Sequence, residues 1–220
     1  MGLLGLVLPS RCALCGAPGP PLCAGCHGRL VRIAPPVCER CGAPGAWPVR
    51  RCVECAGRRL AFARARSAVV YDSRARPLVS AWKERGRRDL APALASIVAE
   101  VIARPEVDAL TFVPGDRERG RARGHVPAQR LASELAALWG LPLAPLLART
   151  GAAPRQAALP RDERAANARR AFVGRRAAPL AVGLVDDVYT TGATAAACAT
   201  QLRRAGARRV EVVCLARAVR

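Results

Sequence analysis

Hydrophobic and polar positions divide the chain into two unlike parts. Through residues 10 to 58 apolar side chains are scarce, and glycine and proline interrupt every short run. Beyond residue 60 the pattern becomes regular. Ser67 to Tyr71 reads as a strand, and Pro77 to Lys83 and Leu90 to Ala103 read as helices. The second helix places Leu90, Leu94, Ile97, Val98 and Val101 on one face. Val107 to Pro114 reads as a strand closed by proline, and Ala128 to Trp139 as a helix capped by Gly140. Leu143 to Ala148 and Ala171 to Val173 are further strand candidates. Val182 to Val188 is an apolar run that ends in acids, Ala195 to Ala205 is helical, and Arg209 to Ala216 is a last strand. Apolar strands alternating with helices predict a parallel sheet covered on both faces. The expected division is a small module over residues 1–60 and an α/β domain over 61–220.

The first part carries four Cys-x-x-Cys knuckles: Cys12 and Cys15, Cys23 and Cys26, Cys38 and Cys41, Cys52 and Cys55. One knuckle turns two sulfurs to the same side, and two knuckles complete a tetrahedral thiolate site for Zn²⁺. Sequential pairing gives two zinc sites; interleaved and single-zinc arrangements also satisfy the spacing, and four thiolates also suit an iron–sulfur cluster. The segment has little apolar mass, so a metal must supply much of its folding energy. His27, directly after Cys26, is expected at the surface. Cys198 and Cys214 have no paired spacing and are expected in the core.

Val182-Gly-Leu-Val-Asp-Asp-Val-Tyr-Thr-Thr-Gly-Ala-Thr194 organises the second part. A strand ends in two carboxylates, a hydroxyl- and glycine-bearing turn follows, and a helix begins. Backbone N–H groups at such a turn and helix start cradle a phosphate. Carboxylates only accept hydrogen bonds, so Asp186 and Asp187 suit vicinal hydroxyls or a hydrated Mg²⁺. With the turn Thr190, Thr191, Gly192, Ala193 and Thr194 one sugar away, the ligand described is a ribose 5-phosphate.

Net charge is +20, and the basic side chains are arginine except Lys83. Such an excess attracts polyanions, although arginine with abundant alanine also fits a GC-rich coding bias. The apolar start, Leu3 to Leu8, is too short for a span and lacks a basic leader. The expectation is a cytoplasmic protein without a membrane span, its ten cysteines thiols or metal ligands rather than disulfides.

Leu184 to Thr194 resembles the phosphoribosyl pyrophosphate (PRPP) motif of type I phosphoribosyltransferases. With the Cys-rich module in front, the whole chain resembles the ComF family (ComF/GntX-like). Tyr71 at a strand end, the Lys83–Gly86 segment, Val113-Pro114 with its Arg-Gly loop, the Ala-x-x-Leu-Ala helix, and Arg164 to Asn167 also fit. The resemblance implies an α/β, parallel-sheet type I phosphoribosyltransferase domain preceded by a double zinc ribbon. It implies that Asp186 and Asp187 bind the ribose hydroxyls of PRPP and that Thr190 to Thr194 hold its 5-phosphate. The loop after Val113-Pro114, with Arg117, Arg123 and Gly124, corresponds to the diphosphate loop, and residues 149–170 to a mobile flap. Mg²⁺ would accompany the diphosphate. Where many members have Arg-Gly-Phe-Asn-Gln, this chain has Arg123-Gly-His-Val-Pro127, with Gln129 nearby as a substitute donor. No residue identifies itself as a general base, and His125 is a lone loop histidine. Two functions follow from the resemblance: phosphoribosyl transfer to an unknown acceptor, or a non-catalytic role in DNA uptake and natural transformation, with single-stranded DNA and a helicase as partners.

Overall fold

The computed structural model describes residues 10–116, 124–150, 171–175 and 179–219. The apolar start, Arg117, Arg123, most of the expected flap and the Arg164–Asn167 segment lie outside the described residues.

In the first part the only helix among the described residues is α1 (Ala24–Gly28), which carries Cys26. The rest is knuckle turns and isolated bridges, as a chain with few apolar residues requires. The second part opens with β1 (Arg64–Val70), followed by α2 (Ala75–Lys83) and, after a 3₁₀ turn at Arg88–Leu90, α3 (Ala91–Val101). Then come β2 (Ala109–Phe112), α4 (Pro127–Trp139), the short strands β3 (Leu147–Arg149) and β4 (Phe172–Gly174), β5 (Ala181–Tyr189), α5 (Ala193–Arg204) and β6 (Arg209–Arg217).

Four strands form a parallel sheet in the order β1-β6-β5-β2. Its interior positions are Val, Leu and Ala, buried on both faces, which is why β5 and β6 read as near-continuous apolar runs. Right-handed crossovers fix the helices. From β1 to β2 the chain crosses the sheet through α2 and α3. From β2 it continues through α4 in the same direction, to Leu143, which bridges Leu110 in parallel. α3 and α4 therefore share one face, where they pack against each other. The step from β5 to β6 runs the opposite way and places α5 on the other face.

Residues Leu143 to Ala148 do not form one strand of this sheet, as the apolar pattern had suggested. Only Leu143 bridges β2; Leu147–Arg149 turns away and pairs antiparallel with Phe172–Gly174. An apolar run records burial, and Pro142 before it and Pro145 within it interrupt a continuous ladder.

The Cys-rich part shares one hydrophobic core with the sheet. Its residues 31–33 lie along the outer edge of β1, through Ile33 N–H to Ala68 O at 2.9 Å and Val70 N–H to Val31 O at 2.8 Å. This covers a sheet edge that would otherwise expose unpaired backbone groups. Close approach explains Gly42: a Cβ there would lie 2.5 Å from the carbonyl oxygen of Ala65.

Candidate functional site

The eight knuckle cysteines gather into two separate clusters. Cys12, Cys15, Cys23 and Cys26 form one, and Cys38, Cys41, Cys52 and Cys55 the other, with the sulfurs of each set within 4.8 Å of one another. This is the sequential pairing. Tetrahedral zinc with Zn–S of about 2.3 Å separates its sulfurs by about 3.8 Å. The measured separations agree: 3.8 Å for Cys15–Cys23, 3.6 Å for Cys38–Cys55, 3.5 Å for Cys41–Cys52 and 3.9 Å for Cys52–Cys55. Backbone N–H groups point at the sulfurs, from Cys23 to Cys12 at 3.5 Å and from Cys52 to Cys38 at 3.3 Å.

The electrostatics of each cluster call for a cation. Burial opposes a thiolate at Cys12, but the backbone N–H groups of Cys23, Cys15 and Leu14 outweigh it and bring the pKa to about 6. Cys38 is likewise brought to about 7, against burial, by Cys41, Cys52 and Arg40. Burial and then the neighbouring thiols push Cys26 up to about 12, and Cys55 is raised for the same reasons. Once one sulfur is charged its neighbours resist ionising; a divalent cation removes that conflict. The two four-cysteine sites fit two structural zinc ions. His27 joins neither set. It lies within 3.2 Å of Glu100, to which Arg32 also binds at 3.1 Å, tying the first cluster to α3.

The second centre lies at the carboxyl end of β5, between β2 and β6, where ligands gather in parallel sheets. Asp186 pairs in register with Cys214, and its Oδ1 accepts the Asp187 backbone N–H at 2.9 Å. Asp187 is buried and binds Lys83 Nζ at 2.7 Å. Lys83 ends α2, so the crossover from β1 delivers one ammonium to two adjacent carboxylates. Burial works against that ammonium, but Asp187, and behind it Asp186 and Tyr71, raise its pKa on balance. One cation does not neutralise two acids. Burial, with Asp187 next, pushes Asp186 up to about 8 despite Lys83. The pair therefore resists carrying two full negative charges, and hydroxyl donors or a metal would relieve that conflict.

After β5 the turn runs through exposed Thr190 and half-buried Thr191 to buried Gly192, with half-buried Ala193 and Thr194 opening α5. Gly192 adopts φ +73°, and a Cβ there would collide with the Tyr189 hydroxyl and ring. The helix start leaves its first backbone N–H groups without intrahelical partners; Thr191 Oγ1 accepts the one of Ala193 at 3.3 Å. Of the three diphosphate-loop candidates, only Gly124 is among the described residues. It takes φ +66° with the Arg88 guanidinium against it. His125 is no solvated loop residue: it is buried, 3.1 Å from the Trp82 carbonyl oxygen and edge-on to the Trp82 ring. It holds the residues just ahead of α4 against α2, one residue before Lys83. Cys198 and Cys214 are buried, as expected of core thiols, and burial raises both well above the usual thiol range.

Sequence reading chose the acids and the turn but assigned Lys83 no partner. The signal was its being the sole lysine among arginines. A third feature was also missed. At the amino ends of β1 and β6, Arg40, Arg50, Arg51, Arg64, Arg66 and Arg209 line a cleft of about 830 Å³. Buried Glu211 compensates two of them, Arg64 at 2.7 Å and Arg209 at 2.6 Å. Arg66 is lowered by burial and by the like charge of Arg64.

Residues 3–58 match the family described as the double zinc ribbon domain. No curated protein matches the chain. Among solved structures, one that matches is glutamine phosphoribosylpyrophosphate (PRPP) amidotransferase from B. subtilis complexed with ADP and GMP, at 24% identity and a TM-score of 0.40 over 57% of this chain. The match spans about a quarter, 26%, of that protein's length. No helix among the described residues is long and apolar enough to cross a membrane.

Proposed function

We propose that the α/β part binds a phosphoribosyl ligand, PRPP or ribose 5-phosphate, at the end of β5, and transfers the phosphoribosyl group of PRPP to an acceptor. The observation that carries this reading is the adjacent Asp186 and Asp187, with Lys83 on Asp187, shortly before a glycine turn that opens α5. The carboxylates accept the ribose hydroxyls, and the backbone and threonine donors of 190–194 take the 5-phosphate. The resemblance to the ComF family, with its type I phosphoribosyltransferase motif, supports the same assignment.

Mg²⁺ would enter with the diphosphate. The hard oxygen donors at this strand end are Asp186 and Asp187, and Asp187 already binds Lys83. Most of the metal's shell would therefore be diphosphate and water, as suits an ion that keeps its waters. Its chemistry there is stabilisation of the leaving diphosphate's charge. The chain holds the sugar and orients C1 toward the acceptor, so its contribution is positioning and electrostatics. Calorimetric titration with ribose 5-phosphate, and with PRPP plus Mg²⁺, tests the reading. Binding is expected to vanish in the Asp186→Asn/Asp187→Asn protein. A folded, zinc-loaded wild type that binds neither compound refutes it, and absence of diphosphate release with every base or amine tried refutes transfer.

A second reading is favoured by the arginine cleft. It lies at the amino ends of the strands, away from the acids, and its six guanidiniums exceed the two carboxylates there, Glu39 and the buried Glu211. A nucleic-acid backbone supplies repeated anions at that scale, in keeping with the DNA-uptake role of the family the chain resembles. Salt-sensitive binding of single-stranded DNA that survives the Asp186/Asp187 changes is the expected result.

A further inference from the structure

Arg217, the last residue of β6, is a fully buried arginine, 1% exposed. Its guanidinium contacts both knuckles of the second cysteine cluster. Nη1 donates to the Cys41 carbonyl oxygen at 2.7 Å, and Nη2 lies 3.7 Å from Cys41 Sγ and 2.7 Å from Oε2 of Glu54, which stands between Cys52 and Cys55. The same guanidinium lies over the Tyr189 ring, 4.6 Å from its centroid, and Phe62 meets that ring edge-on at 6.3 Å. Tyr189 ends β5, is 4% exposed, and fills the space where any side chain at position 192 would project. Its carbonyl oxygen accepts the Ala218 N–H at 3.0 Å. A run of buried contacts thus leads from cluster Cys38–Cys41–Cys52–Cys55 through Arg217 and Tyr189 to the turn that opens α5.

The physical content is a cation with few alternatives. A buried guanidinium needs its acceptors, and here both come from the metal-binding knuckles. Without a metal those knuckles lose the ion that fixes them, and Glu54 and the Cys41 carbonyl lose their fixed places. The ladder still sets Arg217 beside Tyr189, but its guanidinium loses both acceptors that aim it over the ring, and Tyr189 loses the rigid wall behind it. Groups that orient a site from outside its ligands are often as necessary as the ligands themselves.

We propose that Arg217 and Tyr189 are positioning residues for the 190–194 turn, and that metal at the second four-cysteine site holds Arg217 in place. Occupancy of that site is thereby coupled to the order of the 190–194 turn, across the junction of the two parts, and through that turn to phosphate binding. The ligand half of this inference rests on the function proposed above; the coupling itself does not.

The test uses the full, zinc-loaded chain. Amide hydrogen exchange is followed at 189–193, zinc content is measured, and ribose 5-phosphate and plain ribose are titrated calorimetrically. Arg217→Met is expected to retain both zinc ions, speed exchange at 189–193, and weaken ribose 5-phosphate about tenfold while leaving ribose unchanged. A merely structural defect would weaken both ligands alike. Glu54→Gln, which leaves Arg217 and every cysteine intact, is expected to show a smaller change of the same kind, and it decides the matter if Arg217→Met does not fold. Stripping zinc from wild type should speed exchange in the same segment. Unchanged exchange at 189–193 in a folded Glu54→Gln or Arg217→Met protein overturns the coupling. If exchange responds but wild type binds no ribose 5-phosphate, the coupling stands and the proposed function fails.

Discussion

Lys83→Met is the sharpest probe of the acid pair. The change keeps most of the apolar stem and removes the ammonium 2.7 Å from Asp187. Two unit charges at that distance attract by about 6 kcal/mol at an effective dielectric constant near 20, but removing the lysine also ends its own desolvation cost. Breaking a fully buried pair costs about 3–5 kcal/mol. Lys83 is 30% exposed and Asp187 12%, so the expected loss is about 2–3 kcal/mol near pH 8. The loss should depend on pH in a definite direction. Without the ammonium the folded pair takes up protons more readily than in wild type, so the variant's stability falls more steeply as pH rises. Urea unfolding of zinc-loaded wild type and variant at about pH 6 and about pH 8 measures both terms. A loss below about 0.5 kcal/mol at the higher pH, or one that shrinks as pH rises, refutes the pairing as described.

The Asp186 carboxyl, raised to about 8 from 3.8, binds a proton in the folded chain that the unfolded chain releases. Stability from that proton is complete below pH 4 and lost as pH rises through about 8; urea midpoints across this window should decline, and Asp186→Asn should flatten the decline. Ligand hydroxyls favour the ionised carboxylate, so ribose 5-phosphate binding near pH 7 should release close to one proton, read from calorimetry in buffers of different ionisation heat. Gly192→Ala forces a side chain onto φ +73° and into Tyr189; it should weaken phosphate binding at least tenfold with zinc content unchanged, as metal analysis will show. Elemental analysis should find two zinc ions per chain, and strong chelation should unfold the first part, seen as loss of the Ile33–Ala68 amide protection.

Features legible from the order of residues alone are local. Each Cys-x-x-Cys knuckle is a turn of a few residues, so spacing alone picked out the eight cysteines that gather into the two clusters. The strand–acids–turn–helix order at 182–204 sits in one continuous segment, and apolar periodicity marked most helices and strands. Pairing of the knuckles was open at that level, because several combinations satisfy the same spacing, and only packing selected two sequential clusters. Strand partners were equally beyond reach. Leu147–Arg149 is apolar enough for the main sheet, yet it pairs with β4 instead. Everything that gathers around the acid pair depends on sheet order. The crossover from β1 brings Lys83 to Asp187, the entry to α4 buries His125 against Trp82, and the end of β6 carries Arg217 to Cys41. These partners are far apart along the chain, and a charged residue's own sequence neighbourhood does not reveal which distant charge it will meet. Tertiary structure decides that, because the cost of burying a charge is met only where the fold supplies its counterpart.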